Sequence, residues 1–258
     1  MIASSQNTKI KLVRALLGRA KERREAGAFV AEGVRLVEEA VNSNWGFRFV
    51  LYDETLSERG TLNVKRLTLL GVECEEVSPS LMKSLSDTET SQGILAILPF
   101  TQLPIPNYPT FLLIPDQIRD PGNLGTLIRS ADAAGVDAVL IPPETTDPFA
   151  PKVVRAGMGA HFRLPILSMR WDEIAQVGKS AGLQVLLADM DGESFWEADL
   201  SQPLALIVGG ESEGASEQAR QLASQRISIP MAGKTESLNA AVAGSVLMFE
   251  AMRQRKGK

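Results

Sequence analysis

Downstream of residue 110 the sequence predicts an α/β architecture on a mostly parallel sheet, preceded by a small α/β domain. Three observations carry this prediction. Short apolar runs alternate regularly with segments of helical spacing, the order that a parallel sheet with crossover helices requires. The runs themselves, Phe-Leu-Leu-Ile-Pro at Phe111–Pro115 and Leu-Ala-Leu-Ile-Val at Leu204–Val208, are apolar throughout rather than alternating. A strand covered on both faces demands that pattern. Third, residues 101–109 (Thr-Gln-Leu-Pro-Ile-Pro-Asn-Tyr-Pro) hold three prolines, which resist helix and sheet alike and read as a semi-rigid linker. The expected division is therefore a first domain over 1–100, a linker over 101–110 and a second domain over 111–258.

In the first domain, residues 9–24 have helical spacing through Ile10, Leu12, Val13, Leu16 and Leu17. Residues 29–31 form a short strand, 33–42 a helix through Val34, Val37 and Val41, and 47–52 and 93–98 further strands. In the second domain the strands are Phe111–Pro115, Ala138–Ile141, 183–188, Leu204–Val208 and 227–230, with 163–167 weaker. Helices fit 124–134, 148–157, 171–181, 216–223 and 237–253, the last long and amphipathic. No internal repeat or low-complexity tract is present.

The bulk properties narrow the function. With 258 residues, 44% apolar and 22% charged, the composition is that of an ordinary soluble protein with a sizeable core. No apolar run approaches the roughly 20 residues that span a bilayer, and the polar, basic first 24 residues lack the apolar segment of a signal peptide. One cysteine, Cys74, excludes an internal disulfide and suits a reducing cytoplasm. With one Cys and one His a zinc centre is excluded in practice, and no metal site is expected. The net charge is −4, but residues 1–25 carry a local surplus of +5 from Lys9, Lys11, Arg14, Arg19, Lys21, Arg23 and Arg24. A solvated helix face and a phosphate-contacting surface both account for that surplus. Charge alone does not choose between them.

Three loops between apolar strands and helices concentrate the chemistry. The first runs from Asp116 through Asn123-Leu-Gly to Arg129. Asn123 is a natural N-cap residue and Gly135 stands where a C-cap glycine belongs. Arg129 lies six residues past Asn123, so its long side chain can reach back towards the loop; an ordinary capped helix with a surface arginine is the alternative. The second loop, Gly209-Gly-Glu-Ser-Glu-Gly214, follows Leu204–Val208 directly. It is neither the dinucleotide fingerprint nor a P-loop, which disfavours a nucleotide-dependent oxidoreductase. The third passes from Ile229-Pro230-Met231 through Gly233 to Ser237-Leu238-Asn239. Ser237 and Asn239 can each cap the last helix, which leaves one of them for a ligand. In an open α/β sheet, ligands bind beyond the strand ends, where such loops converge.

Together, in this order, the three loops resemble the signature motifs of the SpoU/TrmH family of RNA 2′-O-ribose methyltransferases, within the SPOUT superfamily. The similarity covers residues 111–252. The first domain resembles that family's ribosomal-protein-like substrate-binding module through Phe29-Val-Ala-Glu-Gly33-Val-Arg and Leu85-Ser-Asp-Thr-Glu-Thr-Ser-Gln-Gly93-Ile. The resemblance implies a C-terminal trefoil knot, which the usual rule against threaded chains would not suggest. It further implies S-adenosylmethionine (SAM) as cofactor, held around Val208, Gly209, Gly210, Gly214, Ile229, Met231 and Leu238. Catalysis would rest on Arg129, with Asn123, Ser237 and Asn239 orienting the ribose and holding the local loops, and Glu211 supporting the cofactor loop or the substrate side. A guanidinium essentially never deprotonates, so Arg129 suits phosphate binding and oxyanion stabilisation better than proton abstraction.

The resemblance also implies RNA as partner, with ribosomal RNA favoured and transfer RNA the alternative, a homodimer through the C-terminal helix, no membrane partner, and a cytoplasmic location. A non-catalytic RNA-binding or ribosome-assembly protein on the same fold is the rival reading. It sits poorly with the joint presence of Asn123, Arg129, Glu211, Ser237 and Asn239. The segment Lys152-Val-Val-Arg155-Ala-Gly-Met-Gly-Ala160-His161 resembles another family stretch, although Gly157 stands where a small hydroxyl residue is usual. Arg155 fits an RNA contact or a surface or interface role. His161, the only histidine, reads as structural beside Phe162, Leu164 and Ile166. Trp45, Trp171 and Trp196 lie apart and read as packing.

Overall fold

The computed structural model describes residues 1–88, 90–210 and 214–256. The chain forms two compact units, Met1–Thr101 with Phe149–Phe162, and Gln102–Pro148 with Arg163–Lys258.

The first unit runs α1 (Thr8–Leu17), α2 (Ala20–Ala26), β1 (Ala28–Glu32), α3 (Val34–Asn42), β2 (Phe49–Tyr52), α4 (Glu58–Leu69), β3 (Cys74–Glu76), α5 (Pro79–Leu85) and β4 (Ile94–Pro99). Its sheet has the order β1-β4-β2-β3, with β4 antiparallel to both neighbours. The single helix expected over 9–24 is broken. Gly18 closes α1 with its amide on the carbonyls of Arg14 and Ala15. Arg23 of α2 is buried and donates to the carbonyls of Leu16 (2.7 Å) and Gly18 (3.0 Å), so it braces the break. Lys9 bonds Glu73 and Glu75; burial would lower its pKa, but those carboxylates outweigh it and hold the ammonium up. Two of the seven basic residues are thus structural. The sequence did not reveal α4, β3 or α5. In α4 only Gly60, Asn63 and Leu67 are buried, an apolar stripe too thin to read.

Two features close this unit. Phe29 stands among Trp45, Phe100, Phe149 and Phe162, with ring centroids 5.1–6.5 Å away. Glu32, at the end of β1, is 7% exposed. Its carboxylate accepts from Ser86, from the Asp87 amide (3.2 Å) and from the Thr88 hydroxyl (3.1 Å), and pairs with Arg155 (3.5 Å). Arg155 also reaches Asp87 at 3.2 Å. His161 is buried edge-on to Phe149, the structural position expected.

The second unit runs β5 (Phe111–Pro115), α6 (Pro121–Ala134), β6 (Ala138–Ile141), then, beyond α7 (Pro151–Gly157) of the first unit, β7 (Ile166–Ser168), α8 (Trp171–Ser180), β8 (Gln184–Ser194), β9 (Leu204–Val208), α9 (Glu217–Leu222), β10 (Gln225–Ser228) and α10 (Ala240–Lys256). The six strands are all parallel in the order β10-β8-β9-β5-β6-β7. The fully apolar strands β5, β6 and β9 fall where their sequence placed them, buried along their whole length. β8 is longer than expected. Its Leu187 pairs with Arg226, but the next pair with β10 is Glu193 with Ile227, and its pairing with β9 ends at Ala188 with Val208, so residues 189–192 have no ladder partner. Gly192 has to be glycine, since a Cβ there would sit 2.6 Å from the Ile227 backbone.

Two further expectations are corrected. α10 is not amphipathic: it buries Ala240, Ala241, Gly244, Leu247, Met248 and Ala251, yet leaves Val242, Val246 and Phe249 exposed. Small residues on the buried side let the helix lie close to α6, with Gly244 against Leu127 and Val208. Trp196 is not packing but 70% exposed, with Phe195 as its ring neighbour. Among the described residues no helix is long and apolar enough to cross a membrane, and no cluster of metal-ligating side chains occurs.

Candidate active site

β5 leads to β6 on one side and adjoins β9 on the other, so the strand order reverses between β5 and β9. The crevice outside their carboxyl ends is where open α/β sheets bind ligands. All three loops start from carboxyl ends on this side of the sheet, at Pro115, Val208 and Ser228.

The first loop differs from the sequence reading in its cap. Asp120, not Asn123, caps α6: its carboxylate accepts from the Asn123 amide at 2.9 Å, and Pro121 occupies the first helical turn. An aspartate followed by proline is the pattern that favours this assignment. The Asn123 side chain is thereby released from capping, and its Oδ1 accepts from Nδ2 of Asn239 at 3.0 Å across 116 residues of sequence. Gly135 closes α6 in the left-handed conformation, as expected. Arg129 is exposed and makes no hydrogen bond or ion pair with any described residue. At 100° per residue it lies roughly a third of a turn off the face that carries Asn123 and Ser130.

The described ends of the second loop, Gly209-Gly210 and Gly214, meet in a tight backbone corner. A Cβ on Gly209 would stand 2.7 Å from the Ala215 nitrogen, and one on Gly210 would stand 2.5 Å from the Gln117 carbonyl. These glycines admit other backbone of the same chain. Gly214 bridges back to Gly210 with φ +71°. Asp116 underpins the corner. Its amide donates to the Val208 carbonyl (2.9 Å) and its Oδ2 accepts from the Ser216 amide (2.6 Å). Asp116 is fully buried, and burial pushes its carboxyl pKa up; the Ser216 bonds oppose that rise and the nearby Glu144 charge adds to it. Glu211 lies outside the described residues.

The third loop leaves β10 through half-buried Ile229 and exposed Met231. From Pro230 to Leu238 the chain makes no hydrogen bond with any described residue, so its amides and carbonyls remain available to a ligand. Asn239 is the cap of α10, its Oδ1 accepting from the amides of Ala241 (3.0 Å) and Val242 (3.2 Å). Ser237 is exposed and unbonded among the described residues. Further along, Ser245 donates to Ser130 at 2.7 Å and clasps α10 to α6.

The structure therefore joins the first and third loops through Asn123 and Asn239, and the first and second through Asp116, Gln117 and Gly210. It brings no described polar partner to Arg129 or Ser237. Sequence reasoning missed Asp116 and Asp120. The Asp-Pro pair signals the latter, but nothing local marks Asp116, whose partner lies 100 residues on.

Residues 110–249 match the SpoU rRNA Methylase family, and residues 7–96 match the MRM3-like substrate binding domain. The chain belongs to the SpoU rRNA methylase family. Relatives within reach of the whole chain include the 23S rRNA (guanosine(2553)-2′-O)-methyltransferase RlmP of Bacillus subtilis, 33% identical over 96% of this chain and 97% of that protein. Another is the 23S rRNA (uridine(2479)-2′-O)-methyltransferase of Streptomyces viridochromogenes, 34% identical over 98% of this chain and 92% of its own length. Among solved structures, the SpoU methyltransferase AviRb from Streptomyces viridochromogenes in complex with AdoMet superposes with a TM-score of 0.85 at 31% identity, covering 98% of this chain and 100% of that one. An rRNA methyltransferase from Sinorhizobium meliloti gives 0.86 at 31% identity over 98% and 96%. Membership in the SpoU family thus extends to both units of the fold.

Proposed function

We propose that this protein is a SAM-dependent methyltransferase acting on the 2′-hydroxyl of a ribose in ribosomal RNA, in the cytoplasm. One observation supports this reading most strongly. The Asn239–Asn123 hydrogen bond draws the first and third motifs together beside the switch point, while Arg129 and Ser237 keep polar groups with no partner among the described residues. When bound, SAM supplies an electrophilic methyl on its sulfonium. The residues suit it: Pro230–Leu238 offers unpaired backbone groups, and Val208, Ile229, Met231 and Leu238 supply an apolar wall beside Gly209, Gly210 and Gly214.

A ribose hydroxyl is a poor nucleophile at neutral pH, so alignment and charge stabilisation are what the protein contributes. Arg129 binds the phosphate adjoining the target ribose and stabilises the charge that grows on its oxygen. Ser237 orients the ribose. Asn239, engaged with two helix amides and with Asn123, fixes the loops, and Asn123 holds the ribose side in register. Glu211 supports the cofactor loop. In the transfer an O–CH3 bond forms, the S–CH3 bond breaks, and the hydroxyl proton leaves to solvent.

Residues 1–100 serve as the RNA-binding domain, 101–110 as linker and 111–258 as the methyltransferase domain. α10 returns from β10, at one edge of the sheet, to lie on α6 and β9 in its middle; that path suits the family's trefoil knot. Its exposed Val242, Val246 and Phe249, spaced on one face, suit a homodimer interface. The test is transfer of label from radioactive SAM to total RNA from a strain lacking the protein, with mapping of the product. A labelled 2′-O-methyl nucleotide in ribosomal RNA is expected. Label confined to transfer RNA, or none, overturns the assignment.

A further inference from the structure

The excursion of β8 over residues 189–192 contains Asp189, whose side chain is 13% exposed. Arg220 of α9 donates from Nη1 to Asp189 Oδ2 at 2.9 Å, and from Nε to the Ala215 carbonyl at 3.3 Å. Its other terminal nitrogen lies 3.3 Å from where a Cβ would stand on Gly214. The guanidinium therefore spans from the strand excursion to the outgoing end of the second loop. Arg226 adds a second, longer pairing to the same Asp189 oxygen at 3.9 Å. Asp191 bonds its own amide to Asp189 Oδ1 at 3.1 Å, which completes the turn that presents the carboxylate. Asp116 in addition holds the Ser216 amide. The corner 214–216 is thus gripped by two unrelated charged side chains, one reaching from β5 and one from α9.

Glycine backbone has many conformations to lose on binding, and a corner held at Gly214 removes part of that loss beforehand. Holding Gly214 beside Gly209 also keeps the backbone corner closed. An arginine is suited to this, since its rigid planar fork presents donors to a carboxylate and a carbonyl in fixed directions, whereas a lysine would have to order a flexible stem to place its single ammonium between them.

We infer that Asp189 and Arg220 form a latch that preorganises the corner 214–216 beside Gly209 and Gly210 for SAM, and that both are positioning residues of the cofactor site. This rests on the cofactor reading given above. The latch acts on cofactor affinity and not on RNA recognition or the transfer step. It is also only partly shielded from solvent, so its strength falls with salt.

The experiment measures SAM affinity by calorimetry and the separate KM values for SAM and RNA, in the full-length wild type, Arg220→Ala, Arg220→Lys and Asp189→Asn. Expected is a rise of about tenfold in Kd and KM for SAM in Arg220→Ala, the loss of one charge-assisted bond. The rise is smaller for Asp189→Asn, which keeps an acceptor, and Arg220→Lys rescues only in part. kcat and the KM for RNA stay within about twofold, an order-of-magnitude margin for independent sites. Raising salt should weaken SAM binding more in the wild type than in Arg220→Ala. Equal SAM affinity in wild type and Arg220→Ala overturns the latch. A parallel fall in kcat and RNA affinity also overturns it, by revealing general structural damage. Absence of SAM binding in the wild type overturns the cofactor reading itself.

Discussion

Arg155 and Arg129 are both helical arginines in family-like segments, one in each unit, and their surroundings are opposite. Arg155 is engaged by Glu32 and Asp87, and Glu32 in turn is saturated by three donors of the 86–88 turn. Arg129 stands exposed with no described acceptor. A cation held by two carboxylates of its own unit is engaged in the fold, whereas an exposed one that meets only water keeps its donors for whatever docks there. In the first unit this arginine is tied to the fold, and in the second Arg129 is not tied to any described residue. Of the roles open to Arg155, the structure shows its ion pairs with Glu32 and Asp87.

The contrast can be broken from either side. Arg129→Ala should give the largest effect: methyl transfer falls by about 10³-fold with SAM affinity unchanged, the scale of removing one preorganised charge partner. Calorimetry with SAM alongside single-turnover kinetics checks both halves, and near-normal turnover would remove Arg129 from the chemistry. Glu32→Ala should leave transfer chemistry intact but cost about 2–3 kcal/mol of stability, because Arg155 and three donors lose their acceptor together. Denaturant unfolding measures this. Arg155→Met should cost clearly less, since Glu32 keeps its other bonds; equal losses would mean the pair, not the carboxylate hub, does the holding.

Asn239→Ala should cost about 1 kcal/mol as a lost helix cap and should also slow transfer, because the same side chain sets the first loop against the third. A stability loss with unchanged kcat would confine Asn239 to capping. The smallest effect concerns Asp116. Its pKa is raised by burial above the ordinary 3.8. As pH climbs from 3.8 the unfolded chain ionises first, so the native state loses stability until pH passes the raised value. Measured against Asp116→Asn, wild-type stability should therefore decline over that window and then level. A flat difference would mean that the Ser216 bonds fully offset burial.

How far the sequence could be read follows the same division. β5, β6 and β9 were legible to the residue because strands covered on both faces cannot hide among polar neighbours. The fold class followed from them. Helix α4 was not legible, since a helix covered on a narrow stripe looks like a loop. The cap of α6 was misplaced by three residues because two Asx residues competed and the proline between them decides. The Asn123–Asn239 pair, the Asp116–Ser216 bond and the Asp189–Arg220 pair all join residues far apart in sequence. Local pattern supplied Asn123 and Asn239 but not their pairing, and it marked none of Asp116, Ser216, Asp189 and Arg220; such pairs arise only when the sheet order brings the strand ends together. The motifs named the residues of the candidate site; the geometry shows which of them are already engaged.

The segment Phe149–Phe162 lies within the family match to the methylase yet folds into the other compact unit, where Phe149 and Phe162 surround Phe29. The polypeptide therefore passes between the units three times, not once. A protease that nicks only the proline-rich stretch should yield two fragments that stay associated under native conditions and come apart in denaturant. Expressing residues 111–258 alone would strand those aromatic rings in water, so the shortened chain should be sticky and poorly soluble however intact its parallel sheet.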